Sequence, residues 1–227
     1  MTLGTPRIHR RSTGSTSVDA RALALAGAPH GTLVTAAQQH DGRGRQGRRW
    51  HAPPGGALLC SLVLRAPPAL LAILAGVAVA ELVGPEAMLK WPNDVLADGR
   101  KVGGILIEGR PQEGWAVLGI GVNVALRLDE LPAELRDSAG TLGLDADAIE
   151  PMLARLLELL GHWLARPPDE VLTAWRERDA LLGLELRWRD GSGTGAGIDP
   201  QGRLLVTLAD GSERALDAGE VHLTGTG

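Results

Sequence analysis

The sequence of 227 residues has no phenylalanine, no tyrosine, one cysteine and very little lysine. With Cys60 alone no internal disulfide can form, and no Cys/His group has the spacing of a zinc site. His9, His30, His40, His51, His162 and His222 are scattered, which argues against a histidine-built metal centre. A reducing cytoplasm suits such a chain. Long apolar runs are missing too. The longest uncharged stretch, Ala66 to Ala80, carries Pro67 and Pro68 near its start and stops at Glu81, short of the ~20 residues a membrane span needs. The opening MTLGTPRIHRRSTGSTS lacks the apolar core of a secretory signal. A net charge of −4 gives no sign of a general nucleic-acid surface.

Of the 23 basic residues only Lys90 and Lys101 are lysine. Arginine serves here wherever any cation will do, so each lysine is either a chance survivor or a place that needs a compact, mobile ammonium.

The length allows one large domain with a small appendage, divided here into residues 1–182 and 183–227. Patterning predicts a helix over Val18 to Ala26 with Ser17 as N-cap, strands over Thr32 to Gln38 and Ala57 to Leu64, and a helix over Pro67 to Val83. Asp98-Gly99 signals a two-residue hairpin. That register pairs Ala97 with Arg100, Leu96 with Lys101, Val95 with Val102 and Asp94 with Gly103. Asp94 and Lys101 then share a face as diagonal neighbours at ~7–8 Å or less. A second hairpin joins Ile105–Glu108 to Trp115–Val124. In that last strand Ala116, Leu118, Ile120, Val122 and Val124 make one apolar face. Gly119, Gly121 and Asn123 make the other, where either a ligand or a closely packed element lies against bare backbone; Asn123 favours a ligand. Helices follow over Met152 to Leu164 and Asp169 to Leu182. Five short strands, Leu184 to Arg189, Gly195 to Asp199, Leu204 to Leu208, Glu213 to Leu216 and Val221 to Thr224, suggest a small barrel.

Gly42-Arg43-Gly44-Arg45-Gln46-Gly47 matches G-x-G-x-x-G, but no helix pattern opens there and no acidic residue follows at the required distance, so the dinucleotide reading fails. What remains is a glycine-rich loop with arginines at 43, 45, 48 and 49. It either grips phosphate or carboxylate or is merely a solvated basic loop. Its like charges and glycines predict mobility until an anion is shared, and Trp50 serves as anchor or core.

Taken in series, GRGRQGRRW (42–50), KWPNDV (90–95), KVGGILIE (101–108) and GIGVNV (119–124) resemble the biotin protein ligases. The resemblance implies an α+β fold: a mixed β-sheet flanked by helices, related to class II aminoacyl-tRNA synthetases and lipoate ligases, with a small SH3-like C-terminal barrel. It implies an ATP-dependent, AMP-forming ligase that makes biotinyl-5′-AMP from biotin and MgATP. The product is then transferred to a lysine of a biotin carboxyl carrier domain of a biotin-dependent carboxylase. On the biotin it places Ser15, Thr16, Gln39, Gly42, Arg43, Lys101 and Gly103. On ATP and adenylate it places Arg45, Trp50, Lys90, Asn93, Gly104 and Asn123. The catalytic set it implies is Lys101, Arg43, Arg45 and Asp94, with Asp94 open between Mg²⁺, adenylate and the incoming lysine, or a plain turn residue. Two departures stand out: Ser17 where the family has Asn, and His40-Asp41 where small neutral residues precede the arginine run. The runner-up is a ligase for lipoate or another carboxylate. A biotin-responsive DNA-binding repressor is the alternative of a different class; with 11 residues before Ser12, no DNA-binding domain is expected. A homodimer is left open.

Overall fold

The protein is described by a computed structural model covering residues 2–110 and 113–217. Its core is a seven-stranded sheet in the order β1-β2-β3-β7-β6-β5-β4. The strands are β1 Arg7–Arg10, β2 Leu33–Ala36, β3 Ala57–Arg65, β4 Met88–Lys90, β5 Asp94–Ala97, β6 Arg100–Arg110 and β7 Trp115–Asn123. β1 lies parallel to β2, and every other pair is antiparallel.

The alternation of β3 and β7 sends their side chains to two different cores. Leu58, Leu62, Leu64, Leu118, Ile120 and Val122 face a large apolar cluster formed with α2 (Leu71–Val83), α4 (Ile149–Leu164) and α5 (Pro168–Arg176). Val63 and Val117 point the other way and meet Ala20 and Ala24 of α1 (Thr16–Leu25). α1 covers only part of that second face. The remainder carries Ser61, Gly119 and Gly121.

The hairpin over Asp98-Gly99 forms as the dipeptide requires, with both residues at positive φ. Its register departs from the expected one. Ala97 pairs with Arg100 and Leu96 with Lys101, but Val95 then pairs with Gly103 and Asp94 with Gly104, because a bulge absorbs one residue. The consequence falls on Lys101. In an unbroken strand Lys101 and Asp94 would share a face with Gly103 and Ile105, towards α2, whereas the extra residue puts both on the side of Gly104.

Several expected boundaries move. α1 begins at Thr16, and neither Ser15 nor Ser17 makes a cap hydrogen bond. α2 begins at Leu71 rather than Pro67, after a turn in which the Leu71 amide donates to Pro68 O. α5 stops at Arg176 because the chain leaves the helix to pair with β4: Leu89 N–H donates to Arg178 O, and Ala180 N–H to Leu89 O. α3 is a single turn over Ala133–Arg136.

The C-terminal sheet, in the order β11-β10-β9-β8, consists of β8 Glu185–Trp188, β9 Gly191–Ile198, β10 Leu204–Thr207 and β11 Glu213–Leu216. It forms no closed barrel among the described residues, and the expected strand over Val221 to Thr224 lies outside them. Its apolar face joins the main core through Leu186, Ile198, Leu204, Val206 and Leu216. Trp91 Nε1 donates to Gly202 O at 2.9 Å and Arg176 donates to Ile198 O at 3.0 Å, tying the sheet to β4 and α5. No helix among the described residues is long and apolar enough to cross a membrane.

Candidate functional site

A cavity of about 380 Å³ opens on the sheet face that α1 leaves uncovered. Its floor is bare backbone: Gly104 of β6 and Gly119 and Gly121 of β7. A Cβ at Gly121 would lie 2.7 Å from the Trp50 indole, one at Gly104 2.9 Å from it, and one at Gly119 2.7 Å from Ser17 Oγ. The strand glycines are therefore explained by close packing of Trp50 and Ser17. Trp50 Nε1 is buried with no partner among the described residues.

One end of the cavity is neutral and buried. Ser15, Thr16 and Ser17 sit at the start of α1, each at most 5% exposed, beside Gln39. Gln39 Oε1 accepts from the Thr16 amide at 2.7 Å and from its hydroxyl at 3.1 Å. Thr16 Oγ1 and Ser61 Oγ are 2.8 Å apart, and Ser17 Oγ and Ser61 Oγ 3.3 Å. Leu59 and Leu106 add apolar walls.

The other end is cationic. Lys90, Lys101, Arg43, Arg45, Arg48 and Arg49 line it, with Asp94 as its one carboxylate among the described lining residues. Lys101 Nζ is 2.5 Å from Asp94 Oδ1 and 5.6 Å from the centre of the Trp50 ring. Burial, together with the neighbouring Lys101 and Arg48 charges, holds the Lys90 pKa below an ordinary lysine against the pull of Asp94. Burial and Arg48 likewise lower that of Arg45. Cations crowded until their own charge is disfavoured make a place where an anion gains most.

The arginine loop is no helix entry. It folds as a tight hairpin, in which Gly44 N–H donates to Arg48 O, Trp50 N–H donates to Gly42 O and Arg43 bridges Arg49. A short 3₁₀ turn over Arg45–Gly47 sits at its tip. The expectation of a self-repelling loop overlooks the chain's own partners. Arg43 reaches Glu108 at 3.5 Å, Arg45 donates to Asn93 Oδ1 at 3.2 Å, Arg48 to Gln46 at 3.5 Å, and Arg49 pairs with Asp41 at 2.5 Å. Asp41, one of the two departures, is thus the counter-ion of Arg49.

Of the residues singled out from sequence, Ser15, Thr16, Gln39, Arg43, Arg45, Trp50, Lys90, Asn93, Asp94, Lys101 and Gly104 meet around this cavity. Three do not line it. Gly103 faces α2, where a Cβ would touch Val79 and Val95, because the bulge gives the cavity face to Gly104. Gly42 is closed off by the Trp50 backbone. Asn123 turns its amide to Gly140 O at 2.8 Å, stitching β7 to the 138–140 segment. Sequence reasoning missed Ser61, which is fully buried. Its signal was a single hydroxyl in the otherwise apolar run Ala57–Leu64.

Among the described residues no group of three His, Cys, Asp or Glu side chains could hold a metal. The Cys60 thiol, pushed up to about 12 by burial, is not a nucleophile at neutral pH.

Comparison with known proteins fits this geometry. The Biotin/lipoate A/B protein ligase family model matches residues 8–124, and the Biotin protein ligase C terminal domain model matches residues 189–223. The bifunctional ligase/repressor BirA of Bacillus spizizenii is 33% identical over 95% of this chain and 74% of its own. The biotin--[acetyl-CoA-carboxylase] ligase of Mycobacterium tuberculosis is 34% identical over 93% and 86%. The Aquifex aeolicus biotin protein ligase in complex with biotin and ATP superposes with a TM-score of 0.83 at 28% identity, covering 98% of this chain and all of that one. Matched by the family model over residues 8–124 and by relatives at 33% and 34% identity, the chain belongs to the biotin protein ligases of this family.

Proposed function

We propose that the chain activates biotin with MgATP as biotinyl-5′-AMP and passes the biotinyl group to a lysine of a biotin carboxyl carrier domain. The observation that carries this reading is the joining, in one cavity, of a buried neutral hydrogen-bonding end to an end crowded with cations. A cyclic urea is neutral and offers both donors and an acceptor, so it fits the first end. A carboxylate and a triphosphate fit the second.

In the first step a biotin carboxylate oxygen attacks the α-phosphorus and pyrophosphate leaves. Two anions must approach each other, so fixed cations at the meeting point lower the barrier most. Lys101, held by Asp94 and lying over Trp50, is assigned that point, with Arg43 and Arg45 closing from the loop. Trp50, Lys90, Asn93 and Gly104 border the nucleotide in this reading. In the second step the carrier amine must be neutral to attack the acyl carbon and expel AMP, and Asp94 is the carboxylate placed to take its proton. Among the described lining residues Asp94 is the one carboxylate, so in this reading Mg²⁺ arrives with ATP as substrate and Asp94 is the side chain that could touch it. Ser15, Thr16 and Gln39 hold the ureido ring. A division into residues 1–182 and 183–227 is supported by the change, after α5, from helices on the large sheet to a separate four-stranded sheet. A lone buried thiol suits a reducing cytoplasm.

Exchange of labelled pyrophosphate into ATP tests the first step. Biotin should drive it and lipoate should not; equal exchange with both would move the chain to the lipoate side of its family. Mixing the preformed adenylate with a carrier domain and probing for protein-bound biotin tests the second.

A further inference from the structure

We propose that Ser61, which does not reach the cavity surface, is a positioning residue. It passes to Ser17 the hydrogen-bond direction that the Thr16 amide sets at Gln39, and through that direction the cavity selects a ring N–H. The inference rests on the biotin reading above.

The direction follows from atoms that can only donate. The Thr16 backbone N–H, 2.7 Å from the Gln39 side chain, must find an acceptor there, which fixes that atom as Oε1 and turns Nε2 the other way. The Thr16 hydroxyl, 3.1 Å from the same oxygen, must therefore donate to it. A hydroxyl has one proton. Thr16 Oγ1 is then an acceptor towards Ser61 Oγ at 2.8 Å, and Ser61 is the donor of that bond. With its own proton spent, Ser61 accepts from Ser17 Oγ at 3.3 Å. The chain runs Ser17 to Ser61 to Thr16 to Gln39.

Its free ends differ in kind. Ser17, on the cavity wall, has given up its proton and presents lone pairs only. Gln39 presents the Nε2 donor only. A ring carrying N–H beside C=O satisfies both, whereas a dithiolane satisfies neither. Without the Ser61 hydroxyl, Ser17 would have no inward acceptor and could turn its proton to the ligand. A serine hydroxyl at this place can either donate or accept, and the choice is handed to a residue one layer deeper. Gly119, paired with Ser61 across β3 and β7, leaves the space for the Ser17 hydroxyl, since any Cβ there would lie 2.7 Å from it.

The test compares biotin with its two cyclic carbamate analogues, in each of which one ureido N–H is replaced by a ring oxygen. Wild-type protein should disfavour the isomer whose oxygen faces Ser17 by ~10-fold or more in kcat/KM, because two acceptors then meet. In Ser61→Ala that preference should shrink to ~3-fold or less, as Ser17 becomes free to donate. The KM for biotin should rise ~5–10-fold, with kcat and the KM for ATP unchanged. The other isomer should show no change in its ratio to biotin. Ser61→Cys, with a weak S–H donor, should fall between, and it carries the test if Ser61→Ala does not fold. A wild-type preference retained in either folded variant overturns the role of Ser61, as does a loss shared equally by biotin and both analogues. Failure of the wild-type protein to use biotin at all would instead overturn the functional reading.

Discussion

The two ends of the cavity meet over the same two strands but are prepared in opposite ways. At the neutral end the polar groups of Thr16, Ser17, Gln39 and Ser61 are bonded to one another so that outward donors and acceptors are fixed. At the charged end each loop arginine is bonded to a partner on the chain, Glu108, Asn93, Gln46 or Asp41, and Lys101 to Asp94. Those bonds compete with an anionic ligand instead of orienting the site for it. On the proposed reading the neutral end governs which molecule is held, and the charged end governs how fast it reacts. The difference also explains their depth: a hydroxyl chain keeps its direction only away from water, while arginines must remain able to exchange partners.

The largest expected effect lies at the charged end. Lys101→Ala should slow adenylate formation ~10²–10³-fold in single-turnover assays, the scale for losing one transition-state charge partner. Lys101→Arg should fall well short of wild type, since a broad planar fork does not replace a point charge wedged between Asp94 and Trp50. Equal activity of the arginine variant would break the comparison at its centre. At the neutral end, Gln39→Ala should raise the KM for biotin ~10-fold and leave the single-turnover rate at saturating biotin within about twofold. A fall in that rate would mean the two ends do not divide the work.

A smaller, pH-dependent effect follows from Lys90. Burial and neighbouring cations lower its pKa, so it loses its charge at a lower pH than an ordinary lysine. If that charge helps to hold ATP, the KM for ATP should climb on the alkaline side before free lysine would titrate. In Lys90→Arg, which stays protonated, the climb should move to higher pH, and a pH series of KM values decides it. The smallest effect is expected from Asp41→Asn. This exposed pair with Arg49 should change ATP affinity and thermal stability only slightly, within ~1 kcal/mol. A change of tenfold or more in the KM for ATP would make Asp41 part of the site.

The sequence showed some of this directly and hid the rest for physical reasons. Asp98-Gly99 and strict alternation were enough to bring Asp94 and Lys101 to one face. They were not enough to choose between Gly103 and Gly104, because a bulge has no residue signature of its own in Lys101-Val102-Gly103-Gly104. The start of α1 was misread because Ser17 looks like a cap. Its hydroxyl, like that of Thr16, is taken by tertiary partners on β2–β3 and the loop between them, which no local pattern reveals. The loop arginines were legible as anion binders. That Glu108 and Asn93 already engage them depends on contacts more than 40 residues apart.

The fastening of β4 to the far end of the chain sets an order on the protein's birth. Leu89 is paired by Arg178 and Ala180, and Trp91 by Gly202, 111 residues downstream. A chain emerging from the ribosome N-terminus first can build β1 to β3 and the arginine loop long before these partners exist. The segment that carries Lys90, Asn93 and Asp94 gains its outer support only when residues 178–202 have been made. A chain cut short before Gly202 should therefore fold most of its sheet yet leave the stretch that carries Lys90, Asn93 and Asp94 without this support.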